Sequence, residues 1–118
     1  MSKRKAVPEP RRPLSLTVLH LLLALAEGAR HGYAIKQEAE SRSEGSVRLG
    51  PGTLYEALQR LQDSGLIRET GGDSDPINGQ EAQRRYYGLT PRGRRVLREE
   101  IDQLGRLVDY ARTKPELA

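Results

Sequence analysis

The stretch from Gly50 to Thr90 constrains this chain more than any other. It reads Gly50-Pro51-Gly52-Thr53-Leu54-Tyr55, then Leu58, Leu61 and Gly65-Leu66-Ile67, and after a turn-rich interval Arg84-Arg85-Tyr86-Tyr87-Gly88-Leu89-Thr90. Leu54, Leu58 and Leu61 recur at i, i+4 and i+7 and form one apolar stripe, while Gly52, Glu56, Gln59, Arg60 and Asp63 take the opposite face. Pro51 suits a first helical turn, where its missing N–H leaves no intrahelical bond unmade, and Gly65 suits the left-handed residue that ends a helix. The spacing predicts a helix of about 13 residues. It is followed by two short β segments, 66–70 and 85–90, around a stretch holding Gly71-Gly72, Pro76 and Asn78-Gly79. A short helix running straight into a hairpin is the layout of a recognition helix and a wing, which implies duplex DNA as partner.

Upstream, Pro13 opens an expected helix over residues 13–27, with Leu14, Leu16, Val18, Leu19, Leu21, Leu22, Leu23 and Leu25 on more than one face. A chain of 118 residues buries one modest core, so part of this helix, with Leu19 and Leu22, is expected to meet a second subunit. Gly28 and Gly32-Tyr33 bracket a turn, and residues 34–41 read as a second helix. Residues 41–50 form a polar loop anchored by Val47 and Leu49. Downstream, Thr90-Pro91 supplies an N-cap and a first-turn proline for a last helix reaching about Arg112. Its Leu97, Ile101, Leu104, Val108 and Ala111 follow the 4, 3, 4, 3 spacing of a seam between helices. Packing on its own domain is the alternative reading of that stripe.

These residues taken together, Gly32-Tyr33-Ala34-Ile35, Gly52-Thr53-Leu54-Tyr55, Leu58, Leu61, Gly65-Leu66-Ile67, Arg84-Arg85-Tyr86-Tyr87, Leu89-Thr90 and Gly93, resemble the PadR family of bacterial winged-helix transcriptional regulators. The resemblance runs from about Leu14 to the C-terminus. With a single long helix after the wing, the chain is similar to the short PadR subgroup. It implies a mainly α fold with a small β-hairpin wing, a winged helix-turn-helix over residues 14–90, and a C-terminal dimerisation helix over 91–118. It further implies a homodimer that binds a palindromic operator, usually represses transcription, and is often released by a small effector. Tyr33, Thr53 and Tyr55 match positions that help hold DNA in the family, and Arg84 and Arg85 match the basic start of the second wing strand.

The residues carry their own reading beside this. Thr53 and Tyr55 lie near the N-terminus of the recognition helix, where such helices reach base edges, although Tyr55 flanks the apolar stripe and reads equally as half-buried core. Gln59 can bond adenine and Arg60 guanine, or either can face phosphate or solvent. For the dimer the expected contacts are Leu19, Leu22, Leu97, Ile101, Leu104 and Val108.

Charge needs dissection. The net value is +4, and residues 1–13 hold Lys3, Arg4, Lys5, Arg11 and Arg12 against Glu9, which accounts for all of it. The remainder is formally neutral, so the expected DNA contacts rest on placement: Arg84, Arg85, Arg92, Arg94, Arg95 and Arg98 cluster near the second wing strand, while Asp73, Asp75 and Glu81 make the wing tip acidic. With Pro8, Pro10 and Pro13 and few apolar residues, 1–13 is expected to be an extended, mobile basic arm that either follows phosphates or merely solubilises.

Catalytic chemistry finds little footing. His20 and His31 lack metal-site spacing, Gly50-Pro51-Gly52 lacks the remainder of any phosphate-binding loop, and Glu99 and Glu100 lie beside Arg94, Arg95 and Arg98, where ion pairing is the ordinary role. No catalytic residue, metal or cofactor is expected. The absence of cysteine excludes disulfides and thiolate metal sites and fits a cytoplasmic protein. The apolar run from Leu21 to Ala26 is far short of a membrane span. Without Trp or Phe, a drug-stacking pocket cannot be built on tryptophan, and Tyr87 or Tyr110 substitutes only in part. A winged-helix protein-interaction module without an operator is the alternative, favoured by the neutral body and acidic wing tip.

Overall fold

The structure is a computed structural model that describes residues 10–75 and 80–117, and all side chains among them except those of 72–75 and 80–84. Its elements are α1 (Leu16–Ala24), β1 (Arg30–His31), α2 (Gly32–Arg42), α3 (Pro51–Asp63), β2 (Ile67–Asp75), β3 (Gln80–Leu89) and α4 (Pro91–Arg112), closed by a 3-10 turn at Pro115–Leu117. Three antiparallel strands form one sheet in the order β1-β3-β2. The expected mainly α winged helix-turn-helix is the fold observed.

Helix α1 is shorter than the expected 13–27. Ser15 caps it, its hydroxyl accepting from the Val18 N–H at 3.1 Å, so Pro13 stands outside the helix rather than in its first turn. At the other end Ala26 and Gly28 turn back onto Leu23 and Leu25. Helix α2 begins earlier than expected, at Gly32, because His31 serves as its cap: its Nδ1 accepts from the Ala34 N–H at 3.2 Å. The strand β1 was not expected. Arg30 pairs with Tyr87 and His31 with Tyr86, so a segment read as a plain turn supplies β3 with an edge partner.

Helix α3 has the expected bounds, with Pro51 in its first turn and Leu54, Leu58 and Leu61 buried. Gly65 adopts φ +75°, the left-handed conformation that lets the chain turn directly into β2. The wing strands are longer than the expected 66–70 and 85–90, and their register slips between Glu69 and Gly71, where Gly71 at φ +106° accommodates the bulge. Pro76 and Asn78-Gly79, the expected turn signal, lie outside the described residues, as do residues 1–9.

The core forms where the helices meet the root of the wing. Leu21, Leu22, Leu25, Ile35, Leu54, Leu58, Leu66 and Ile67 are its most deeply buried members. At about 1.5–3 kcal/mol per large apolar side chain removed from water, this cluster is the main source of stability. Val47 and Leu49 anchor the loop before α3 as expected. That loop is also held by Glu40, whose carboxylate accepts from the Leu49 N–H at 3.1 Å and from Lys36 at 3.2 Å. Thr90 caps α4 as expected, accepting from the Gly93 N–H at 2.9 Å.

Two features of the chain ends depart from the sequence expectation. Arg12 is not part of a free arm: its Nε donates to Glu100 at 3.0 Å, and its guanidinium lies 3.7 Å from Glu99. Glu99 and Glu100 therefore pair with the N-terminal segment instead of with Arg94, Arg95 or Arg98. Along α4, Gly93, Val96, Leu97 and Glu100 are buried on the body, whereas residues 101–110 are exposed throughout.

Candidate nucleic-acid interface

The first turns of α2 and α3 meet at one point. Gly32 opens α2, and the Tyr55 hydroxyl stands 3.0 Å from where a β-carbon on residue 32 would be, with the ring edge at 3.1 Å. The hydroxyl edge of the Tyr55 ring therefore lies against backbone that carries no side chain. Tyr55 is thus packed at its hydroxyl edge and remains 50% exposed. Tyr33, next along α2, is 58% exposed, and the Lys36 ammonium sits 5.8 Å from its ring centre. Thr53 is exposed in the first turn of α3. Tyr33, Thr53 and Tyr55 are thus exposed in the N-terminal parts of α2 and α3, where the positive ends of the two helix dipoles favour negative charge.

Further along α3, Glu56, Gln59 and Arg60 are exposed on the face opposite the leucine stripe. The Gln59 amide nitrogen donates to Asp63 at 3.0 Å. This bond uses one of the two amide N–H groups and leaves the other N–H and the carbonyl oxygen, the pair that bidentate adenine recognition requires. Arg60 extends from the same face. Lys36 and Glu56 were not singled out from the sequence. Lys36 becomes visible only through its position over Tyr33, and Glu56 was legible from helical spacing, since it shares the exposed face with Gln59.

On the wing, Arg85 is exposed and its guanidinium lies 3.8 Å from Glu69 on the neighbouring strand. Exposed pairs of this kind contribute little to stability and exchange readily for another anion. Arg84 pairs in register with Asp73, and its side chain lies outside the described residues, as do those of Asp73, Asp75 and Glu81. Behind the wing, Tyr87 is buried, and desolvation, reinforced by the Glu69 carboxylate, raises its phenol pKa. It belongs to the core and is closed to a ligand. Arg94, Arg95 and Arg98 are exposed on the first half of α4.

Of the six expected dimer contacts, Leu19, Leu22 and Leu97 are buried inside the protomer, where they fill the core. Ile101, Leu104 and Val108 are exposed, together with Leu107 and Tyr110. Among the described residues no group of acidic, histidine or cysteine side chains has the arrangement of a metal site, and no helix is long and apolar enough to cross a membrane.

A helix-turn-helix backed by a three-stranded sheet defines a winged-helix protein. Residues 19–99 match the transcriptional regulator PadR-like family, and the chain belongs to that family of transcriptional regulators. It is 36% identical over 93 residues to a transcriptional regulator of Mycobacterium tuberculosis, covering 76% of this chain and 79% of that one. It is 41% identical over 87 residues to an uncharacterised transposon-encoded protein of Streptomyces fradiae, 74% of this chain but only 22% of that longer protein. Among solved structures, a PadR family regulator from Eggerthella lenta superposes with TM-score 0.60 at 30% identity, over 82% of this chain and 80% of the other. Bacillus subtilis PadR in complex with operator DNA shares the fold, with TM-score 0.58 at 22% identity over 73% of this chain and 45% of that one.

Proposed function

We propose that this protein is a homodimeric, sequence-specific DNA-binding regulator of the cytoplasm that represses transcription from a palindromic operator. The observation that carries the reading is the Gly32–Tyr55 junction, which joins the N-termini of α2 and α3 and leaves Tyr33, Thr53 and Tyr55 exposed around it. Thr53, Tyr55, Gln59 and Arg60 are assigned to the major groove, and Tyr33, Arg84 and Arg85 to phosphates on either side. Bacillus subtilis PadR, whose fold this chain shares, is in complex with operator DNA, which supports DNA as the partner. Dimerisation is assigned to the exposed half of α4, through Ile101, Leu104 and Val108. Residues 91–118 then serve as the dimer module, and 14–90 as the reading head. A small effector that lowers operator affinity belongs to this reading, with its chemistry open.

Selection from random duplexes tests it. The expected product is an inverted repeat with half-sites about 10 bp, or a multiple, apart. Replacing Arg84 and Arg85 by Ala should weaken all duplexes alike, whereas changes at Thr53 or Gln59 should alter which duplex is preferred. A selection that enriches no motif points instead to a protein-interaction module, the use that the Arg85–Glu69 pairing and the formally neutral body favour.

A further inference from the structure

Helix α4 lies on the body from Gly93 to Glu100, with Val96 and Leu97 buried in the core between two polar attachments. The first is its opening turn: a β-carbon at residue 93 would stand 2.0 Å from the Leu66 carbonyl oxygen, and the Thr90 N–H donates to that same oxygen at 3.0 Å. Gly65 and Leu66 follow α3 without a break, so this end of α4 moves with the recognition helix. The second is Glu100, two turns on and only 4% exposed. One of its oxygens accepts from Arg12 Nε at 3.0 Å and the other from the Leu14 N–H at 3.1 Å. Leu14 is itself in the core. Beyond Glu100 the helix leaves the body.

Val96 and Leu97 hold α4 against the core through non-directional apolar contact, and the hydrogen bonds at Glu100 fix the direction in which the helix leaves the body. From this geometry we propose that Glu100 is a positioning residue for operator spacing: by clasping Arg12 and Leu14 it sets the angle between each reading head and the α4 seam. The inference rests on the dimer and operator reading above. At 1.5 Å per residue, Gly93 and Glu100 are about 10 Å apart along the axis, and Gly93 and Val108 about 22 Å. A slip of about 1 Å at Glu100 becomes about 2 Å at the seam and, with both protomers counted, about 4 Å between reading heads. That is close to the ~3.4 Å rise of one base pair. An apolar side chain could fill the same space without desolvating a carboxylate, but it would not hold two donors at defined directions.

The test uses the full-length protein and a panel of duplexes carrying its selected operator with the half-sites moved apart or together by one and two base pairs, alongside a single half-site. Glu100→Gln leaves one of the two donors facing an amide NH2 and the other a neutral carbonyl oxygen, and Arg12→Lys keeps the net charge while losing the guanidinium geometry. Wild type should favour one spacing by about tenfold per base pair, in the range of a single mismatched position. In either variant that ratio should fall to about threefold or the optimum should shift, with half-site affinity within about twofold of wild type. A ratio of spacings is insensitive to net charge and to modest loss of stability, so it separates positioning from a merely structural role. Should Glu100→Gln fail to fold, Arg12→Lys, at a partly exposed site, carries the measurement. A folded dimeric variant with the wild-type spacing profile overturns the proposal, and a wild-type protein with no preferred spacing overturns the operator reading beneath it.

Discussion

The phenol of Tyr55 occupies the space that a side chain at Gly32 would fill, its hydroxyl 3.0 Å from the missing β-carbon. One glycine and one tyrosine thereby set how closely the scaffold helix approaches the recognition helix. Gly32 is helical, so alanine at this position fits the backbone and suits a helix better than glycine does. The half-exposed ring can swing away by the few tenths of an ångström required. Gly32→Ala should therefore change stability by less than about 1 kcal/mol while weakening DNA binding several-fold. Thermal unfolding and a duplex titration on the same preparation check this, and unchanged affinity would remove Tyr55 from the interface.

Gly93 reverses that balance. Helix propensity alone favours alanine there by about 1 kcal/mol. The β-carbon would fall 2.0 Å from the backbone oxygen of Leu66, which cannot rotate away, so Gly93→Ala should instead destabilise by about 2–3 kcal/mol. The sign of the change in urea midpoint decides between propensity and packing.

Glu40 links pH to the loop that launches α3. The Leu49 N–H, more than any other cause, lowers its pKa below the ordinary 4.5, outweighing partial burial, with Lys36 adding to the effect. A lowered folded-state value means that the contribution to stability is complete above 4.5 and is lost as pH falls through the folded-state value. Urea midpoints measured from about pH 6 down to pH 3 should fall in wild type, and fall less steeply in Glu40→Gln. Parallel slopes would show that other carboxylates govern acid sensitivity.

What could be read in the sequence depended on how far apart the interacting residues lie. Helix α3 was legible because Pro51, the leucine triplet and Gly65 are local signals, and α4 because Thr90-Pro91 caps it in place. Two-residue β1 has no periodicity to show, and it exists only because β3 has an edge to pair. Arg12 was assigned to a free arm because its partner, Glu100, lies 88 residues away. The α4 stripe has uniform spacing along its length, yet the body covers Leu97 and stops short of Ile101, a boundary that packing alone determines.

That boundary separates two outcomes along one helix. Leu104 and Val108 are 36% and 46% exposed in the protomer, so aspartate at both places charges in the proposed seam without disturbing the core. The double variant should remain folded and sediment as a monomer, since unpartnered buried charges cost several kcal/mol. Leu97→Asp, by contrast, should unfold the protein. A folded dimer of the double variant would place the subunit contact elsewhere.

Truncation now has a defined limit. Arg12 is engaged by Glu100, and the other cations of residues 1–13 are Lys3, Arg4, Lys5 and Arg11. Deleting residues 2–9 removes Lys3, Arg4 and Lys5 and leaves Arg12 and Leu14 in place. Each phosphate neutralised adds about 0.9 to the slope of log affinity against log salt. If the arm follows the backbone, the deletion should lower that slope by about one to three and weaken specific and non-specific duplexes comparably, with the preferred operator spacing unchanged. An unaltered slope would leave binding to the helix junction and wing alone. Loss of spacing preference in the truncated protein would instead mean that the segment before Pro10 helps hold the clasp.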